Sequence, residues 1–156
     1  MSVKSQFLKK LQTRQSALTS SAAKSQADIA EFRQRMDQLQ EQMNAWLAGA
    51  GLNVETFTVS VSDLLVEVGA FDISGLALRY DDRTVKFMPI FLYGQGVTGC
   101  VEVTSHSGRE VNSLGRLFMR SGNASDWTYN PSGTSSRFGQ IFDENIFFGV
   151  ILALLS

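Results

Sequence analysis

Three constellations in this 156-residue sequence have residue types that could do chemistry. Gly94-Gln95-Gly96-Val97-Thr98-Gly99 matches GxGxxG, a pattern whose glycines let the backbone approach a pyrophosphate when a strand precedes it and a helix follows. Here the strand-like Cys100-Val101-Glu102-Val103 follows, so no helix N-terminus is expected to hold the phosphates. With Val101 the run also fits a kinase glycine loop, but the 57 residues from Cys100 to Ser156 are too few for the catalytic loop and metal-binding segment. A glycine-rich turn or bulge within a sheet is the expectation.

Cys100 and His106 are the only thiol and the only imidazole, the pair that acyl chemistry would need with an orienting carboxylate. Six residues apart along one strand, they share a face but stand about 20 Å from each other. Cys100, between Gly99 and Val101, reads as a small core residue, and His106, between Ser105 and Ser107, as a loop residue. The carboxylate pairs have local explanations. Asp81-Asp82 sits where a hairpin turn is expected, and Asp143-Glu144 opens a helix. Asn123-Ala124-Ser125 matches a glycosylation sequon without a signal peptide to give it meaning. No catalytic residue set is expected.

Composition excludes further classes. A formal net charge of −1 and a pI near 5.8 argue against a nucleic-acid partner bound by bulk electrostatics. One Cys excludes an internal disulfide, and one Cys with one His excludes ordinary zinc ligand sets, so neither metal nor cofactor is expected. Lys4, Lys9 and Lys10 have no long apolar stretch behind them, so no secretory signal is read and the cytoplasm is the expected location.

The elements that must carry these residues divide at Gly49. Residues 1–48 hold no glycine, and all 13 lie from Gly49 onward, as do Pro89 and Pro131. Glycine is costly inside helices and useful in turns, so the split predicts a helical arm over 1–48 and a turn-rich sheet domain over 52–156, in one folding unit. Charge divides there too: the arm has seven bases and four acids, the remainder seven bases and eleven acids.

Ile29, Phe32, Met36, Leu39, Met43 and Trp46 recur at intervals of three and four, one stripe of a helix expected over about 27–48 and stopped by Gly49 or Gly51. Thr19-Ser20-Ser21 favours caps over helix interiors and suggests a break near 19–21. Asp28 and Glu31 suit a helix start by their charge. The stripe has two readings: it packs on the chain's own sheet, or it forms a homodimer seam with a second copy.

From Leu52 the period becomes two. Phe57 to Val61, Leu76 to Tyr80, Val85 to Phe87, Phe91 to Tyr93, Val97 to Val103, Gly115 to Arg120 and Trp127 to Tyr129 are strand candidates; Ser105 to Gly108 and Pro131 to Gly133 are turns. Residues 143–155 predict a short apolar helix capped by Asp143, spanning about half a bilayer core and therefore buried in protein, with no membrane partner. The fold class is α+β: a long N-terminal helical arm, an antiparallel sheet of about five to seven strands, and a short C-terminal helix.

Tyr80, Tyr93, Trp127 and Tyr129 share these stretches with Arg79, Arg83, Arg116 and Arg120, a composition typical of binding hot spots. Asp126, Trp127 and Tyr129 are bracketed by Gly122-Asn123 and Asn130-Pro131, and are expected to be exposed. With Asp81 and Asp82 they form the candidate partner-binding set.

The layout resembles the single-domain immunity proteins that bacteria encode beside secreted toxins, type VI and Rhs effectors among them. The resemblance covers helical Glu31 to Trp46, the compact sheet from Val54 to Tyr129, and the acidic surplus beyond residue 48. It implies a non-enzymatic protein that occludes a basic toxin cleft, with contacts drawn from Asp63, Glu67, Asp72, Asp81, Asp82, Glu102, Glu110 and Asp126. The alternative is a structural or adaptor protein of a secretion system or phage, assembling through its N-terminal helix.

Overall fold

The computed structural model describes residues 2–62, 69–93, 97–120, 127–132 and 139–155, with side chains described except at 12–24, 97 and 120. Helix α1, Val3–Trp46, opens on Ser2, whose hydroxyl accepts from the Ser5 amide at 3.2 Å. The break suggested near 19–21 falls among residues 12–24, whose side chains are not described. The Asp28 carboxylate accepts from the Tyr93 hydroxyl at 2.6 Å. The helix ends before Gly49 and Gly51, both at positive φ.

Seven strands follow in a plain meander: β1 Glu55–Ser62, β2 Ala70–Tyr80, β3 Arg83–Phe91, β4 Val97–Ser107, β5 Glu110–Arg120, β6 Trp127–Pro131 and β7 Gln140–Ile141. Each pairs antiparallel with the next, so sheet order equals chain order. The α+β class and the antiparallel sheet are as the sequence predicts. Strand β4 continues through Ser105 to Ser107, moving the turn to Gly108-Arg109, and places His106 on a strand. Helix α2, Glu144–Ile151, starts where expected: the Asp143 carboxylate accepts from the Ile146 amide at 2.9 Å. A short 3₁₀ turn, Leu152–Leu154, closes the chain.

The stripe on α1 settles against the sheet. Ile29, Phe32, Met36, Leu39 and Met43 are buried with Leu47, in one cluster with Leu78, Val85, Phe87, Val101, Val103 and Leu117 from the strands. Trp46 is half-buried and meets Phe142 edge-on and Phe147 at a tilt, at centroid distances of 6.0 and 5.2 Å. The seam that would have carried a homodimer is therefore covered within the chain. Five fully buried side chains, Phe32 to Leu47, at about 2 kcal/mol each come to about 10 kcal/mol at most. The stretch of α1 from Ile29 onward is thus one wall of the core.

Polar contacts fix the helix in register as well. Arg33 donates through Nε and Nη2 to the Asp72 carbonyl at 3.0 and 2.8 Å. Near the other end, Asn44 Oδ1 accepts from the Val54 amide at 3.2 Å. Arg35, also buried, lays its guanidinium 5.3 Å from the Trp127 ring centroid.

Candidate binding surface

Trp127 and Tyr129 are placed inward, against expectation, with exposures of 5% and 7%. Both lie on β6, paired with β5, and face α1 and the aromatic cluster: Trp127 meets Phe32 at 6.2 Å and Tyr129 meets Phe142 at 6.1 Å. The Tyr129 hydroxyl donates to the Leu114 carbonyl at 2.8 Å, and burial raises its pKa. The turn residues around them mark the ends of a strand and carry no information about which face its side chains take. Asp126, like Asp63 and Glu67, lies outside the described residues, as does the sequon at 123–125.

Asp81 and Asp82 form the two-residue turn between β2 and β3, exposed, with Asp81 at φ +53. An Asp tolerates the left-handed region because its short side chain bonds locally, so the turn explains its residue type. It also leaves two carboxylates in water at one end of the sheet. Asp72 and Glu110 are exposed elsewhere.

The glycine motif divides. Its first two glycines lie outside the described residues, whereas Gly99 sits in β4 at φ +135. A Cβ there would stand 2.9 Å from Met119 Sδ and 3.4 Å from the Phe32 ring. Gly99 thus gives the helix room to approach the sheet, a packing role.

Cys100 and His106 both lie on β4, six residues apart in an extended strand. Burial pushes the Cys100 thiol up to about 12, with Arg116 opposing and Glu102 adding to the effect, so it stays protonated at neutral pH. His106 Nε2 shares a hydrogen bond with Thr104 Oγ1 at 3.0 Å. Burial first, and Lys86 second, lower its pKa below 6.5. The unfolded chain therefore takes up that proton at higher pH than the folded chain, and stability present above pH 6.5 is lost as pH falls through the depressed value. Because His106 is the single histidine, its ring resonances in an NMR titration should give a midpoint below 6.5 without assignment, and His106→Asn should flatten the acid limb of the stability curve.

These groups belong to a polar face. Lys86 of β3, Glu102, Thr104 and His106 of β4, and Arg116 of β5 alternate with inward Val85, Phe87, Val101, Val103 and Leu117. Ser113 donates to Glu102 at 3.3 Å, and Lys86 Nζ lies 5.6 Å from the Phe57 ring centroid. Among the described residues, no three His, Cys, Asp or Glu side chains come together as a metal site. No described helix is long and apolar enough to cross a membrane.

A groove with a mainly apolar lining lies elsewhere. The 47–52 turn after α1, Tyr80 at the end of β2, and the α2 and 3₁₀ segment enclose a groove of about 600 Å³. Leu152 and Leu155 stand at its mouth, 61% and 69% exposed. Tyr80, 45% exposed, leads directly into Asp81-Asp82, and a second pocket sharing Asn145 and Phe148 is lined by Asp143 and Glu144. Apart from Asn145 and the Tyr80 hydroxyl the lining is apolar, which suits a partner with apolar anchors. Sequence reasoning missed this groove because its walls come from segments about 50 and 80, and near 150, that no local pattern connects. The one available signal was the unbroken apolar run after Ile146, longer than one helix face can bury.

The class defined by this architecture is an α+β protein with a seven-stranded antiparallel meander backed by the 25–46 part of α1. No protein-family model, curated protein or solved structure matches the chain.

Proposed function

We propose that this chain is a non-enzymatic protein-binding protein that uses this apolar groove as its working surface. In its most specific form it is a bacterial immunity protein of the cytoplasm, neutralising a cognate toxin by occlusion. The observation that carries the reading is the groove itself, lined by exposed Leu152 and Leu155 and by Tyr80, the residue before the Asp81-Asp82 turn. Tyr80 and Phe148 take the anchoring part that Trp127 and Tyr129 cannot, because those two are committed to the core. Charge speeds the encounter and apolar burial slows release. Co-purification with the product of an adjacent gene tests it: a complex that neutralises that product's activity supports the reading, and failure of every adjacent product to bind ends it.

A second reading, a structural or adaptor protein assembling through its N-terminal helix, is favoured by a separate observation. Val3, Phe7, Leu8 and Leu11 are exposed on α1, beyond the part that packs on the sheet.

A further inference from the structure

The sheet ends in two edge strands, β1 and β7, and they are built differently. Strand β7 has only two residues, Gln140 and Ile141, too short to template a further strand. Strand β1 has eight, and pairs with β2 in unbroken register from Glu55↔Ala77 to Ser62↔Ala70. It lacks the devices that keep an edge from pairing: no proline, no lysine or arginine, and no bulge. Its one charged residue, Glu55, stands at the end and is bridged to Arg79 of β2 at 3.2 Å. Thr56 to Val59 and Val61 are residue types that favour a strand. An antiparallel strand turns half of its amides and carbonyls away from its neighbour. Among the described residues, the backbone of β1 makes no hydrogen bond outside its ladder with β2.

We infer that β1 is a dimerisation edge, pairing antiparallel with β1 of a second copy of this chain about a two-fold axis at Val59. An axis perpendicular to the sheet keeps every side chain on its own face. Val59 then faces its own copy, Phe57 faces Val61, Thr58 faces Ser60 and Thr56 faces Ser62. One row of facing side chains is wholly apolar and the other wholly hydroxyl, and both kinds of cross-strand pair are favourable. An axis at Thr58 would set Glu55 against Val61, and an axis at Ser60 would shorten the uncharged paired stretch. The strand is thus its own complement in this register, with no like charges opposed, which singles out a second copy as the occupant. The contact is isologous, so it closes as a dimer and does not propagate. No residue of β1 lines the groove, so dimerisation here uses none of the surface proposed for binding there.

Two full-length variants test this by sedimentation velocity: Thr58→Lys with Ser60→Lys, and Thr58→Glu with Ser60→Glu. Both side chains are exposed, and an unchanged far-UV spectrum and urea midpoint verify that the fold is kept. The native chain should be a concentration-dependent dimer. Because Thr58 faces Ser60 across the axis, each variant alone opposes like charges at two places, and its dimerisation should weaken by about 100-fold or more. An equimolar mixture opposes lysine to glutamate at both places and should form a 1:1 dimer again. A native chain that stays monomeric overturns the inference, as do variants that dimerise as tightly as the native chain. A mixture that stays monomeric overturns pairing through β1 in this register. A native monomer that binds the product of an adjacent gene, and loses that binding in the lysine variant, would give the edge to a foreign strand instead.

Discussion

Phe32→Ala should lower the unfolding free energy by about 3–5 kcal/mol, the largest single-residue loss expected on α1. The side chain is fully buried, its ring meets Trp127 at 6.2 Å, and it lies against the space that Gly99 leaves open. Truncation removes the ring from contact with β4 and β6 together, and the backbone of a long helix pinned by Arg33 and Asn44 cannot collapse into the gap. Phe7→Ala is the matched control. It makes the same chemical change on the same helix at an exposed position, where about 0.5 kcal/mol or less is expected. Urea denaturation of the two variants compares them directly. Equal losses would mean that α1 does not pack through its 29–46 stripe.

Gly115→Ala should cost about 3 kcal/mol, a large effect for one added methyl. Gly115 of β5 pairs with Val103 of β4 and Pro131 of β6. A Cβ there would stand 2.5 Å from the Asn130 carbonyl oxygen and 2.7 Å from the Tyr129 ring and hydroxyl. Neither neighbour can yield cheaply. The carbonyl belongs to the adjoining strand, and the tyrosine is fixed by its bond to the Leu114 carbonyl. Relief requires β5 and β6 to separate, which would move Trp127 and Tyr129 together. The near-UV circular dichroism of the variant should therefore lose aromatic intensity while the far-UV spectrum persists. An unchanged stability would show that the strands have slack at this point.

What the sequence made legible was periodicity. The 3-4 spacing named the five buried apolar side chains from Ile29 to Met43, and Asp143 named a cap whose carboxylate does accept from Ile146. Alternation found most strands, because one covered face forces a period of two. It missed β7, whose two residues are too few to show a period. It also placed Trp127 and Tyr129 in solvent, since turn residues at both ends of a short strand do not reveal which way its side chains point. Contacts set by tertiary geometry were invisible. Arg33 reaches a carbonyl 39 residues away, Tyr93 a carboxylate 65 residues away, and Phe142 gathers Trp46, Phe87, Tyr129 and Phe147 around itself.

The same limit applies to function. The acidic surplus beyond residue 48 was countable, and the structure distributes it: Asp81 and Asp82 form an exposed turn next to Tyr80, which lines the apolar groove, and Asp72 is exposed on β2. The chemistry-bearing residues were also countable, and their placement removes their promise. Cys100 is buried with its thiol pushed up to about 12, and His106 shares its strand without meeting it. Binding at the groove is the reading that these placements favour together.

The most direct test is the affinity of the full chain for the product of its adjacent gene, measured by calorimetry for the native protein and for Leu152→Arg with Leu155→Arg. Binding through the groove predicts a loss of about 100-fold or more, since two exposed apolar contacts become charges facing a basic partner. A partner that binds the variant as tightly as the native chain would contradict the groove as the working surface.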